Sequence, residues 1–252
     1  MKWKWKNKPT KLKNLFFCRV DMEYKKWNKI YQRLAEDLGI NRYADETSSE
    51  IFDLLIGSYQ KYYVDFDTLR NLIEGNTVFV FGAAPSLEEE IKKYKKNFEN
   101  NTLIAADGAT SALLKVNIIP DIIVSDLDGV IADQLSANKK NSILIIHAHG
   151  DNIDVVQKTI PMIKGPYLGT IQTNPDKYRF VKNFGGFTDG DRAVFLADFF
   201  YPKEIILIGF DCSANPGFYS FQKKNNYVLK MKKLQWCQRL LNLFPPDYVR
   251  NI

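Results

Sequence analysis

Residues 120–129 read Pro-Asp-Ile-Ile-Val-Ser-Asp-Leu-Asp-Gly, and this stretch decides the fold. The apolar run at 122–124 has the length and composition of a buried parallel strand. It closes on Asp126 and Asp128, just ahead of Gly129. In an extended backbone, residues two apart point to the same side, so both carboxylates are expected at one spot beyond the strand. Open α/β sheets bind their ligands at that carboxyl edge. Two converging carboxylates repel unless a cation lies between them, and hard oxygen ligands suit Mg²⁺ shared with substrate phosphates. The competing reading is a strand-end turn bearing two solvated aspartates.

The same pattern repeats on both sides of this stretch. Apolar runs at 77–81, 102–106, 121–124, 142–146 and 204–208, with a weaker one at 167–170, read as strands. Helical-period stretches at 86–98, 109–116, 130–137, 153–163 and 191–200 separate them. Fully apolar strands alternating with helices imply a parallel sheet covered on both faces. The expected fold class is α/β: a doubly wound, mostly parallel, Rossmann-like sheet with flanking N- and C-terminal helices. Ahead of the sheet, residues 24–38 form an amphipathic helix stopped by Gly39. Residues 47–72 hold one or two more helices, capped at Ser48 or Ser49 and closed by Gly75. After a Gly/Asn/Pro loop comes a long helix over 226–244. The organisation expected is a basic N-terminal helical segment (1–75), an α/β catalytic core (76–210), and a C-terminal loop and basic helix (211–252) closing the site.

Bulk properties narrow the function class. With 252 residues, 45% hydrophobic and 13% aromatic, the chain has ample material for a packed core. The longest apolar candidate, 193–210, is broken by Asp198, Pro202, Lys203 and Glu204, so no stretch is long enough to span a membrane. The basic start leads into no apolar secretory segment, and a cytoplasmic location is expected. Cys18, Cys212 and Cys237 are scattered and odd in number, which excludes a disulfide scaffold and a common zinc framework. The net charge of +6 is unevenly placed: residues 1–35 carry eleven Lys or Arg against two acids, and the remainder is slightly acidic. Such a leader could touch nucleic acid or an anionic surface. The simpler reading is a helix-forming extension that packs aromatics (Trp3, Trp5, Phe16, Phe17, Trp27) onto the core. A nucleic-acid partner is disfavoured because the basic face does not continue onto the core. A homodimer is a candidate assembly.

Each polar cluster falls just after a strand. Gly82-Ala-Ala-Pro-Ser-Leu87 permits close backbone approach and opens a helix whose free N–H groups can face an anion. Its single glycine excludes the dinucleotide pattern. Ser86 with Glu89 also reads as a capping box, and Glu88, Glu89 and Glu90 would oppose a phosphate. Asp107, in Ala106-Asp-Gly-Ala109, can cap a helix or accept paired donors from a heterocycle's amidine-like edge. The segment His147-Ala-His149-Gly-Asp151-Asn152 holds both histidines. Zinc needs three or four protein ligands, so a zinc site is not favoured. One histidine can act as a general base, the pair can equally be structural, and Asp151 adds a further carboxylate. In Phe187-Thr-Asp189-Gly-Asp191-Arg192, Asp191 is either a helix-dipole acid or part of the substrate pocket, and the pocket reading is preferred. Together these acids indicate a Mg²⁺-dependent enzyme acting on a polyphosphate, where positioning and charge neutralisation dominate. Arg192 and the lysines 223, 224, 230, 232 and 233 are available as cations.

In this order and spacing, over residues 75–215, the motifs resemble the archaeal 6-hydroxymethyl-7,8-dihydropterin diphosphokinase family (MptE-like). They are more distantly similar to thiamin diphosphokinases, but Ser125 and Gly129 replace a glycine and a serine of that pattern, which argues against thiamin as acceptor. The resemblance implies transfer of diphosphate from ATP to the pterin hydroxymethyl group with release of AMP, in methanopterin- or folate-type cofactor synthesis. Mg²⁺ and ATP are the implied cofactor and co-substrate, and a reduced pterin is the implied acceptor. Asp126 and Asp128 would hold Mg²⁺ with Asp151 completing the shell, and His149 would join them in catalysis. Gly82, Ser86, Arg192, Lys230 and Lys233 would take ATP. Asp107 or Asp189 would read the pterin edge, with Asn152 and Asp191 beside them. The rival readings are a motility-accessory-like glycosyltransferase using a nucleotide-activated sugar, a thiamin diphosphokinase-like enzyme, and a nucleotide-sensing module whose leader docks on RNA.

Overall fold

In the computed structural model, which describes residues 23–212, 215–220 and 227–252, β1 (Thr77–Phe81) sorts its side chains by parity. Val78 and Val80 enter one core layer, and Phe79 and Phe81 enter the other. The strands β2 (Thr102–Ala106), β3 (Ile122–Ser125), β4 (Ile143–Ala148), β5 (Tyr167–Ile171) and β6 (Glu204–Ile208) follow. A short β7 (Val249–Asn251), not anticipated from the sequence, completes the sheet. All neighbouring pairs are parallel, in the order β5-β4-β3-β2-β1-β6-β7. The winding therefore reverses between β1 and β6, and the doubly wound α/β expectation holds.

The helices are α1 (Tyr24–Leu38), α2 (Arg42–Ser58), α3 (Phe66–Ile73), α4 (Leu87–Tyr94), α5 (Ala109–Lys115), α6 (Ile131–Asn138), α7 (Ile153–Thr159), α8 (Asp189–Phe199) and α9 (Tyr227–Leu241). One face of the sheet is covered by α1, α3, α8 and α9. The other is covered by α4 and α5 on the β1–β6 side, and by α6, α7 and α2 toward β5. Helix α8 is buried at every position from 191 to 198, so it runs through the core without a solvent-facing side, its charged residues Asp191, Arg192 and Asp198 included. Each large apolar side chain buried there contributes about 1.5–3 kcal/mol relative to exposure.

Local chemistry explains where the boundaries moved. Gly39 ends α1 with φ +67, as expected of a left-handed stop. Ser48 and Ser49 do not cap α2: the helix begins a full turn earlier, where Asn41 accepts hydrogen bonds from the Tyr43 and Ala44 amides. Those serines point inward instead, donating to the His149 and Asp45 carbonyls. The Ser86–Glu89 capping box does not form, because Ser86 itself has helical φ/ψ and makes no capping bond. Trp27 is 1% exposed and donates its indole N–H to the Gln172 carbonyl at 3.0 Å, tying α1 to the end of β5. The leader's other aromatics and Lys223 and Lys224 lie outside the described residues. Among the described residues, no helix is long and apolar enough to cross a membrane.

Candidate metal centre and substrate cavity

The loops leaving β1 to β6 surround a cavity of about 430 Å³ at the carboxyl edge of the sheet. That is the volume of a small-molecule site. The start of α8, the α1–α2 junction and one stripe of α9 complete its wall. Along α9, Lys230, Lys233 and Cys237 recur at helical spacing and face the same space.

Four carboxylates meet in this cavity. Asp107, Asp126, Asp128 and Asp189 each bring an oxygen within 4.8 Å of the others. The convergence of Asp126 and Asp128 does not come from a strand pleat. β3 ends at Ser125, and Leu127 between the two acids adopts φ +66, a left-handed turn. A leucine there costs on the order of 1–2 kcal/mol. The burial of its side chain in the core holds the turn, and the Leu127 amide donates to Ser125 Oγ at 2.8 Å. The same hydroxyl donates to Asp107 Oδ1 at 2.7 Å, as does Gln134 Nε2 at 2.7 Å. Oδ2 of Asp107 is left for the cavity. A methyl group at Gly129 would collide with that carboxylate, which is the physical requirement for glycine after the second aspartate.

The electrostatics follow from crowding. Burial and the negative charges of Asp126 and Asp107 push the Asp128 carboxyl up to about 8. Burial, then Asp126, also pushes Asp107 and Asp189 upward. Asp126 goes the other way: burial opposes its charge, but the hydrogen bond with His149, with the Arg192 guanidinium nearby, holds it well below the usual carboxylate range. His149 Nδ1 accepts from the Asp151 amide at 3.3 Å, which places the ring proton on Nε2, 3.4 Å from Asp126 Oδ2. His149 is thus set as a donor that orients Asp126. His147 is a core group, with Nδ1 3.1 Å from Thr170 Oγ1; its pKa is depressed by burial first, then by Arg192. Four hard oxygen donors that destabilise one another's charge fit a divalent cation of the Mg²⁺ class.

Several expected site residues have other tasks. Asp151 lines the cavity but is exposed and stands outside the group of four; Asp107 and Asp189, not Asp151, lie beside Asp126 and Asp128. Asp191 lies outside the cavity wall. It closes a capping box on α8, accepting from Thr188 Oγ1 at 2.8 Å and from the Phe187 and Thr188 amides, because a carboxylate at the third helical position reaches back to the cap. Asn152 is likewise a brace. Its Nδ2 donates to the Asp126 and His147 carbonyls at 2.7 and 2.8 Å, and its Oδ1 accepts from the His149 amide at 2.8 Å. Ser86 is absent from the wall, whereas Gly82, Arg192, Lys230 and Lys233 are in it. Lys232 pairs outward with Asp37.

Two cavity residues escaped the motif reading, Asp45 and Gln172. Asp45 is 2% exposed and accepts from the Tyr31 hydroxyl, from Gln172 Nε2 at 2.6 Å and from the Gly150 amide at 2.7 Å. A signal existed: Asp45 shares the buried stripe of α2 with Ser49, Phe52 and Ile56. An acid on a buried stripe needs a partner.

The family described as 6-hydroxymethylpterin diphosphokinase MptE-like matches residues 55–217. The chain belongs to the MptE-like family. A Pyrococcus furiosus protein named 6-hydroxymethyl-7,8-dihydropterin pyrophosphokinase is 41% identical over 226 residues, covering 87% of this MptE-like chain and 93% of the relative. A Methanocaldococcus jannaschii protein of the same name is 40% identical over 232 residues, covering 88% and 95%. A solved MAf glycosyltransferase from Magnetospirillum magneticum aligns with TM-score 0.38 and 14% identity over 73% of this chain and 36% of its own. That likeness is too low to bear on fold or activity.

Proposed function

We propose that this protein transfers diphosphate from ATP to the hydroxymethyl group of 6-hydroxymethyl-7,8-dihydropterin. The hydroxymethyl oxygen forms a bond to the β-phosphorus. The bond from that phosphorus to the oxygen bridging it to the α-phosphorus breaks, and AMP leaves with that oxygen. The hydroxyl proton passes to water. The observation that carries this reading is the four-carboxylate group sharing one ligand-sized cavity with Arg192, Lys230 and Lys233.

Each part has a task. Asp126 and Asp128, with Asp189 and Asp107 beside them, would hold Mg²⁺, which supplies charge neutralisation at the phosphate oxygens. His149 keeps Asp126 ionised and aimed. Lys230 and Lys233 face the phosphates from α9, with Arg192 behind Asp189. Fixed charge of this kind accounts for most of the rate enhancement in phosphoryl-group transfer. The names of the family and of its archaeal members support the same assignment.

Incubation with ATP, Mg²⁺ and the reduced pterin, followed by mass spectrometry, tests the proposal. Pterin diphosphate and AMP in equal amounts are expected. Formation of ADP and a pterin monophosphate, or no pterin-dependent AMP, would refute it.

A further inference from the structure

Resting on that functional reading, the cavity has two chemically different ends, and the strand order says which is which. At one end, beyond β1 and β6, the winding of the sheet reverses. The wall there combines the small residues Gly82, Ala83, Ala84 and Gly209 with the ring of Phe210. Gly209 has φ +67, and a methyl on Gly82 would strike the Gly209 carbonyl and the Phe210 ring, so the two loops lie against each other with room for neither to carry a side chain. Open α/β sheets take nucleotides at such a reversal. The carboxylates beyond β2 and β3 come next along the edge.

The other end, beyond β4 and β5, is built differently. Leu38, Ile40 and Ala44 give it an apolar side, and Asp45, Gln172 and Arg192 a polar one. Gln172 is 3% exposed, and its amide is oriented by its partners: Nε2 donates to Asp45 at 2.6 Å, and Oε1 accepts from Arg192 Nη2 at 3.4 Å. One N–H of that amide remains unused, while its oxygen faces both Arg192 and the His147 ring. Arg192 is 7% exposed, yet its two side-chain bonds, to Asp189 at 3.3 Å and to Gln172, are long for charge-assisted bonds. Its Nε has no hydrogen-bond partner among the described residues. A buried cation this poorly satisfied marks a missing polar partner. An apolar slot flanked by a fixed amide with a spare donor and by an under-satisfied guanidinium is the complement of a flat heterocycle with hydrogen-bond acceptors along its edge.

The geometry points to a polarised site: the nucleotide lies at the β1–β6 end, the pterin ring lies at the β4–β5 end, and Gln172 is a specificity-determining residue for the ring. The diphosphate in transit then lies between them, over the carboxylates. Asp107 and Asp189 are relieved of reading the pterin, because both belong to the acid group.

Calorimetry with two separate probes tests this: the reduced pterin, and Mg²⁺ with α,β-methylene ATP, in which the bond to be broken cannot break. Gln172→Leu and Ile40→Trp are expected to weaken the pterin by about tenfold or more and leave the nucleotide analogue within about twofold. Ala84→Leu is expected to do the reverse. The polarity is overturned if Gln172→Leu leaves pterin affinity unchanged, or if Ile40→Trp weakens the analogue instead. Gln172→Asn, which keeps the amide but shortens its reach, is read by the same criteria should the leucine variant fail to fold. Wild-type turnover is measured alongside. A reversed variant pattern with AMP still formed by the wild type overturns the polarity alone. Absence of wild-type turnover overturns the functional reading and the polarity with it.

Discussion

Two sets of aspartates stand along the same sheet edge, and their hydrogen-bond partners set them apart. Asp45 and Asp191 are saturated, the first by Tyr31, Gln172 and Gly150, the second by the Thr188 hydroxyl and two amides. Asp107, Asp126, Asp128 and Asp189 instead face one another. Residue type and sequence position are alike in the two sets: Asp189 and Asp191 are two residues apart on one helix. A carboxylate whose oxygens are all filled by protein donors builds the fold, and one that keeps an oxygen turned toward other carboxylates has room for a cation.

The contrast can be broken by substitution in each set. Asp126→Asn removes the acid that His149 holds ionised. Turnover is expected to fall on the order of a thousandfold, with an unchanged thermal melt. Asp191→Ala is expected to do the opposite. It leaves the buried Phe187 amide, the half-buried Thr188 amide and the α8 cap unpaired, costing about 2–4 kcal/mol in denaturant unfolding, with residual folded protein still active. Equal loss of stability in both variants would erase the distinction. Gly129→Ala sharpens it: the new methyl displaces Asp107, and Mg²⁺ affinity measured by calorimetry is expected to drop about tenfold while the fold persists.

The smallest effect concerns pH. Asp128 is held at about 8 in the folded chain, above its ordinary value of 3.8. Metal-free protein therefore loses stability as pH rises from about 4 through 8, because the folded state must give up a proton it binds more tightly than the unfolded chain does. Asp128→Asn is expected to remove that decline. Asp128 is ringed by the other acids yet open to solvent on the cavity side, so after allowance for screening the gain is about 1 kcal/mol at pH 8, and it fades below pH 4. A melt series over pH with and without Mg²⁺ reads it; a variant no more stable than wild type at pH 8 would show that the acids do not repel.

Much of the fold was legible because parallel strands buried on both faces carry their own signature. The runs at 77–81, 102–106 and 204–208 coincide with strands residue for residue. β7 was not legible: Val249–Asn251 is three residues long, and two of them are exposed. The site was legible as a set of loops, and less so as a set of roles. The pairing of Asp126 with Asp128 was read from an extended backbone, whereas the turn at Leu127 produces it; nothing in a leucine announces φ +66. Asp151 and Asp191 looked equivalent to Asp107 and Asp189, since a motif records residue type and spacing but not which oxygens are already taken. Asp45 and Gln172 belong to no motif, and their importance follows from contacts 127 residues apart.

The central claim is that Asp107, Asp126, Asp128 and Asp189 together hold one or more divalent cations. Anomalous diffraction from crystals grown with Mn²⁺ and α,β-methylene ATP examines it directly. A peak bounded by the carboxylates of Asp126 and Asp128 and by phosphate oxygens is the expected result. Density for the nucleotide with no metal peak among these four acids, or with the metal only beside Asp151, would contradict it.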